Sequence, residues 1–360
     1  MNTAIIAIGV VLLLVILLTL FRISRLITVV SGSDKKRETP ANNTNAILLV
    51  LFLILGMGAT FWYSYNYFGD YTLPVASEHG EETDRLFWIT MAVTGFVFVV
   101  TSILLLVFPY MYRFREDRKA HFYPHNNKLE LIWTVIPAIV LATLIFSGLK
   151  TWTDITSKPS ADAVELEIMG YQFAWKARYP GADGVLGAYD YQKIDAINEF
   201  GLDLTDQASL DDFIPAEIHI PVGEEVNFKI RARDVLHSVF APHFRLKMDA
   251  VPGMPTSFKF TPTKTTEEMR TELGDPEFNY EIACTEVCGR GHFSMKILVV
   301  VEDRASYEEW YAAQTEKTFL DLNPGMMEEV PENLREVALM SSGVEPEEVT
   351  ESDVELNSSL

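Results

Sequence analysis

Cysteine is almost absent from the chain: 360 residues carry two, and they lie four positions apart. A disulfide-stapled scaffold is excluded, as is any iron–sulfur cluster with four cysteine ligands. Basic residues are also scarce, 29 Lys and Arg against 50 Asp and Glu, for a formal charge of −21. Such a field repels phosphate, so no nucleic-acid partner is expected. Internal repeats are missing. What the chain has in quantity is apolar side chains, 48% of residues against 22% charged. That is too apolar for a disordered chain, and the length allows one large domain or two to three ordinary ones. The distribution is lopsided, with most apolar residues before Lys150 and most acids after it.

Four long apolar stretches precede residue 150, at about 3–21, 46–63, 86–110 and 129–149. Each approaches the ~20 residues a helix needs to cross a bilayer. A single one could be a buried core helix; four point to a helical membrane anchor. The first stretch is not expected to be a cleaved signal peptide. No Lys or Arg precedes it and no small-x-small cleavage site follows. Residues 22–45 carry Arg22, Arg25, Lys35, Lys36 and Arg37. Residues 69–85 carry Asp70, Glu78, Glu81, Glu82 and Asp84 against Arg85 alone, and residues 110–128 are again basic. Basic, acidic, basic is the pattern of four spans with both termini on the outer face. The reading is therefore a transmembrane hairpin over 1–68, an acidic outer loop over 69–85, and a second hairpin over 86–150. Glu130, at the cytoplasmic edge of the fourth span, is either a functional ionisable group or a dipole-favoured helix-end acid.

From about residue 162 the pattern changes to short alternating runs such as Val164-Glu165-Leu166-Glu167-Ile168 and Glu217-Ile218-His219-Ile220. Further strand candidates lie at 226–230, 257–260, 279–283 and 296–301, separated by Pro, Gly and Asp. This predicts a small all-β Greek-key sandwich or barrel over 151–315. Residues 181–213 read as an acidic insertion on its surface. Residues 316–360 read as an acidic, solvated tail; from 321 onward it holds eleven acids and one base, Arg335.

The segment Cys284-Thr285-Glu286-Val287-Cys288-Gly289-Arg290-Gly291-His292-Phe293-Ser294-Met295 offers two thiolates, an imidazole and a thioether within twelve residues. Soft sulfur with imidazole suits copper or zinc. His237, in Asp234-Val235-Leu236-His237-Ser238, is the candidate second imidazole. Three readings compete. A Cys284–Cys288 disulfide would not require His292 and Met295 at these offsets. Tetrahedral zinc would leave Met295 unused. Copper uses every donor: both thiolates can bridge two ions, each ion takes one His, and Met295 and the Glu286 carbonyl remain as weak axial ligands. Sharing one electron over two metals in a fixed cage favours fast one-electron transfer.

The ligand segment, the Asp-Val-Leu-His-Ser run and the Leu129-Glu130-Leu131-Ile132-Trp133-Thr134 helix together resemble cytochrome c oxidase subunit II, of the haem–copper oxidases, over about residues 86–310. The resemblance implies a cupredoxin carrying the dinuclear copper centre CuA. By it the ligands are His237, Cys284, the main-chain carbonyl of Glu286, Cys288, His292 and Met295. It places the Glu286 side chain where a magnesium or manganese ion is bound beside subunit I. It places Glu130 at the mouth of a proton-conducting path, and Asp249 in a segment facing subunit I. It further implies an integral protein of the bacterial inner membrane. There the outer domain takes single electrons from cytochrome c and passes them to haem a in subunit I, where oxygen is reduced to water and protons are pumped.

Three departures stand out. In Gly170-Tyr171-Gln172-Phe173-Ala174-Trp175, Phe173 replaces the Trp at which many relatives accept electrons; either Phe173 serves the same role, or Trp175 carries the contact, or the docking site differs. The usual subunit has two membrane helices, so the first pair here is extra and could pack on other oxidase subunits or on an upstream respiratory complex. No cysteine follows Cys288, so no attached c-type haem is expected here; the expected donor is cytochrome c or a cytochrome c domain from elsewhere, which Glu224, Glu225, Asp234 and the acidic tail could attract. Other classes fit less well. A membrane-anchored copper chaperone has its cysteines before the His on a thioredoxin-like fold. A quinol-oxidase subunit lacks the copper ligands. Nitrous oxide reductase needs a His-rich cluster that seven histidines do not supply.

Overall fold

A computed structural model describes residues 2–30 and 40–341. The chain divides into two units, Met1–Thr72 with Ile89–Val140, and Leu73–Trp88 with Leu141–Leu360.

The first unit is built from helices α1 (Asn2–Val30), α2 (Pro40–Tyr71), most of α3 (Glu78–Met111) and the start of α4 (Asn127–Thr156). Phe52, Leu55, Phe96 and Leu105 point outward, unpacked by protein. Apolar exposure on that scale belongs in lipid. Among the described residues, α2, α3 and α4 are long and apolar enough to cross a membrane. α1, expected as the first of four spans, is helical but is not one of these three. Side chains at its N-terminal end lie outside the described residues. The Arg113 Nε–H donates to Asn43 Oδ1 at 2.7 Å and Asn42 Nδ2–H to the Phe114 carbonyl at 3.3 Å, tying the start of α2 to the chain just after α3. Asn126 caps α4, its Oδ1 accepting from the Leu129 N–H at 3.1 Å.

The described residues of the second unit form a sandwich of nine strands: β1 (Val164–Tyr171), β2 (Ala174–Arg178), β3 (Ile218–Pro221), β4 (Val226–Ala232), β5 (His237–Ala241), β6 (Leu246–Ala250), β7 (Thr256–Phe260), β8 (Tyr280–Cys284) and β9 (Lys296–Glu302). One sheet has the order β2-β1-β4-β7 and the other β3-β9-β8-β5-β6. Most neighbours are antiparallel, but β1 runs parallel to β4 and β3 parallel to β9. Leu166, Ile168, Phe228 and Ile230 from the first sheet meet Ile218, Val239, Ile282 and Val299 from the second in one core. Residues 73–84, read as loop, are strapped to this unit. The Ala76 N–H donates to the His243 carbonyl at 2.8 Å, the Glu78 N–H to Thr261 at 3.1 Å, and Arg245 forks onto Asp84 at 2.7 and 2.8 Å.

Two regions differ from the sequence reading. Alternation places Glu167 on the solvent face of β1, yet it is 3% exposed. The insertion covers that face, and Glu167 pairs there with Arg178 at 2.6 Å and with Arg231. The tail is not wholly solvated. Phe319 and Leu320 of α5 (Phe319–Leu322), with Met326, Val330 and Ala338 of the segment through α6 (Glu332–Ser341), form a second core with Phe200, Leu202, Leu204 and Leu210 of the insertion and Met169 of β1. Charge dominates the composition of both segments, and the spaced apolar residues that weld them are too few to show in it. Residues 342–360 lie outside the described residues.

Candidate metal centre

His237 opens β5 and Cys284 closes β8. These strands pair with Val239 opposite Cys284, so both donors emerge at one end of the same sheet. The chain then makes a loop that returns as β9. The Cys284 N–H to the Met295 carbonyl closes its mouth at 3.2 Å, and the Thr285 N–H fixes it to the Ser238 carbonyl at 3.2 Å. Gly289 holds φ at 134°, a conformation other residues rarely adopt.

The donor atoms converge. His237 Nδ1 lies 3.9 Å from Cys284 Sγ, Cys284 Sγ 3.9 Å from Cys288 Sγ, and Cys288 Sγ 3.6 Å from His292 Nδ1. Met295 Sδ is 3.9 Å from Cys288 Sγ, and the Cys284 thiol donates to the Glu286 carbonyl at 3.3 Å. Two ligands each about 2.3 Å from a shared tetrahedral ion stand about 3.8 Å apart. The spacing therefore fits donors around a metal. It does not fit a disulfide: both cysteines are free, and a bond between them needs about 2.05 Å. His237, Cys284 and Cys288 form the one group of three His, Cys or acidic residues among the described residues whose ligand atoms all lie within 4.8 Å of one another.

The surroundings shape this donor set. Burial, then the neighbouring Cys284, pushes the Cys288 thiol up to about 11, so a bound cation must displace a proton to gain the thiolate. His237 is fully buried, and its Nε2 faces Asp234 Oδ1 at 2.9 Å. Asp234 also accepts the Gln172 N–H at 2.8 Å and the Val235 N–H at 2.7 Å. Burial opposes ionisation of Asp234, but these hydrogen bonds outweigh it and hold the carboxyl below its usual range. A carboxylate on Nε2 leaves Nδ1 to face the sulfurs. Gly170 lies under this ring; a Cβ there would stand 3.0 Å from His237 and 2.7 Å from Trp175.

The remaining predicted residues are dispersed. Trp175 is buried with its edge toward His237, ring centroids 5.8 Å apart, whereas Phe173 keeps 37% of its surface exposed. Asp249 is exposed and accepts from the Ser238 hydroxyl at 2.7 Å. The Glu286 side chain is half-buried. Glu130 stands exposed in the first turn of α4, in the first unit and outside this donor set. Sequence reading treated Asp234 as a surface acid and missed its part in holding His237, although a spacing of three residues before the imidazole carries that signal.

Two family models match the chain. Residues 60–151 match the transmembrane domain of cytochrome c oxidase subunit II, and residues 164–302 match its periplasmic domain. The chain belongs to the cytochrome c oxidase subunit II family. An alternative cytochrome c oxidase subunit 2 from Bradyrhizobium diazoefficiens is 34% identical over 280 residues, covering 77% of this chain and 94% of the relative. A cytochrome c oxidase subunit 2 from Thermostichus vulcanus is 27% identical over 290 residues, 65% of this chain and 76% of the relative. The solved periplasmic domain of subunit II from Bradyrhizobium japonicum aligns with 44% of this chain and 98% of its own length, at 23% identity and a TM-score of 0.31. As a subunit II, the chain is part of an oxidoreductase, with membrane-spanning helices and a cupredoxin-like domain of the periplasmic type. The Cys, His and Met donors give that domain a copper-type ligand group.

Proposed function

We propose that the loop 284–295 and His237 hold a dinuclear copper centre that receives single electrons from a cytochrome c and delivers them to haem a of subunit I. The chain of contacts His237–Cys284–Cys288–His292, with the two sulfurs 3.9 Å apart at its middle, carries this reading. Cys284, Cys288, His237 and His292 would hold the copper, offering it two thiolates and two imidazoles. Met295 Sδ, beside Cys288 Sγ, and the Glu286 carbonyl, beside Cys284 Sγ, would serve as further, weaker donors. When bound, the copper pair supplies a one-electron carrier with its charge shared over two metals.

The chain's own residues do the rest. Paired strands fix His237 and Cys284, burial of both cysteines excludes water, and Asp234 holds one imidazole tautomer. Phe173, exposed and packed over the glycines of the loop, is the aromatic contact for the donor, while Trp175 packs behind His237. Glu286 is assigned a second role at a magnesium or manganese ion beside subunit I, Asp249 a place facing that subunit, and Glu130 the mouth of a proton path. All four helices are read as spans, with both termini periplasmic. The extra pair α1 and α2 is read as a contact with other oxidase subunits or an upstream respiratory complex.

Copper analysis and EPR of the purified full chain test the centre. Two coppers per chain with a mixed-valence signal are expected; one copper with a blue-site spectrum, or zinc, refutes it. Partner recovery by a chain truncated before Leu86 tests the extra helices, and unchanged recovery of every partner refutes the contact.

A further inference from the structure

We infer that Gln172 is a positioning residue that clasps the two halves of the donor set together, its backbone acting on His237 through Asp234 and its side chain on the Cys288 loop. The inference rests on reading that donor set as a copper centre.

The donors have unequal support. His237 and Cys284 belong to hydrogen-bonded strands of one sheet. Cys288 and His292 belong to a loop whose outer turn is exposed, with Val287 at 82% and Phe293 at 89%. The ties of this loop to β5 and β9 lie at its ends, at Cys284, Thr285 and Met295. Its middle is held from the opposite sheet. The turn between β1 and β2 carries Gln172, whose Nε2–H donates to the Cys288 carbonyl at 2.5 Å. The backbone N–H of the same residue donates to Asp234 Oδ2 at 2.8 Å, and Asp234 Oδ1 meets His237 Nε2 at 2.9 Å. One residue thus bonds to both sides of the metal frame. Next to it, the Phe173 ring fills the space beside Gly289 and Gly291; a Cβ on Gly289 would stand 2.8 Å from that ring and 3.0 Å from Gln172 Nε2. The turn therefore seats the loop by contact as well as by hydrogen bonds.

A loop so held presents Cys288 and His292 at fixed distances from Cys284 and His237 before any ion arrives. Without the side-chain bond, Cys288 keeps its place in sequence but loses its link to the other sheet. The ligand sphere would then sample several geometries.

The test uses the full chain in detergent, copper-free and copper-loaded. Q172L removes the amide donor and leaves the backbone bond to Asp234; Q172N keeps an amide but is one methylene too short to reach Cys288. Both should retain copper about 10–100-fold less well in chelator competition, the range typical of lost outer-shell partners. Their mixed-valence EPR lines should broaden. In the copper-free chain, exchange of the loop's hydrogen-bonded amides at Thr285, His292 and Ser294 should rise at least ~10-fold while β4 and β8 stay protected, a local rather than global opening. This last reading separates positioning from general destabilisation. Wild-type copper retention and exchange in both variants would overturn the clasp and leave the copper centre standing. A wild-type chain that fails to take up two coppers would overturn both. Faster exchange across the whole sandwich in both variants would also overturn the clasp, since it marks loss of the fold.

Discussion

His243 shows how much one half-buried side chain can do. Its Nδ1 faces the Pro74 carbonyl at 3.0 Å, and its ring packs edge-on against Phe278 and Tyr280. It thereby pins the strap that leads into α3 onto the sandwich. Burial lowers its pKa, helped by the positive Arg245 and Lys264 and opposed by the Pro74 carbonyl and Glu272. The neutral form is the folded form, so the unfolded chain binds a proton first as pH falls. The stabilisation is complete above the unfolded value near 6.5 and is lost as pH drops through the lower folded one. His243→Gln keeps an amide donor for Pro74 but cannot titrate. Its melting temperature should therefore fall less than that of the wild type between pH 7 and pH 5; parallel melting curves would contradict this. None of this is visible in sequence, because the strap lies more than 160 positions from its partner. The proposed copper donors are the opposite case. Cys284, Cys288, His292 and Met295 declare themselves by spacing alone. His237 was a candidate from its own run, and the fold is what brings that separate strand end beside them.

At the scale of elements, a buried ionic cluster joins β1, β2 and β4 to the insertion. Glu167 meets Arg178 and Arg231, Arg178 reaches Asp212 at 2.5 Å, and Arg231 also donates to the Phe200 carbonyl at 2.7 Å. The two guanidiniums are 2% and 6% exposed. Removing their shared acid leaves two buried cations short of a partner, which outweighs any desolvation it relieves. Glu167→Ala should cost about 3–5 kcal/mol, read as a lowered urea midpoint; a loss below about 1 kcal/mol would place the cluster among weakly coupled surface pairs. Strand existence was legible here because alternation marks β1, β3 and β4. Which face of β1 is covered was not. A two-residue period fixes only that opposite faces differ, and the cover comes from residues 181–213 and the tail, whose composition reads as surface.

For the whole molecule, charge and hydropathy act on different parts. The formal charge of −21 gives the chain a field suited to a basic donor. The three acids proposed to draw that donor in are, however, already engaged: Glu224 with Arg304 at 2.8 Å, Glu225 with Lys259 at 3.2 Å, and Asp234 with His237 and Gln172. The attraction proposed for a basic donor would therefore come from the summed field rather than from those side chains. Oxidation of cytochrome c by the intact oxidase should slow as salt shortens the screening length from about 30 Å at 0.01 M to about 8 Å at 0.15 M. Neutralising Glu224 and Glu225 should change that slope little. A salt-independent rate would exclude electrostatic capture, and a slope abolished by those two substitutions would restore them as docking groups.

The sequence by itself determined the apolar helices, the strand candidates, the sulfur and imidazole donors of the loop, and the family. All of these are written in local composition, in a period of two or 3.6, or in spacing within a dozen residues. Only the tertiary structure decided what requires contact between distant segments. His237 faces the loop, Asp234 holds His237, Gln172 bridges to Cys288, and the acidic tail closes over the insertion as a second core. The physical reason is that burial and hydrogen bonding across separate elements depend on strand pairing and packing, and a linear pattern constrains each partner without saying which partners meet.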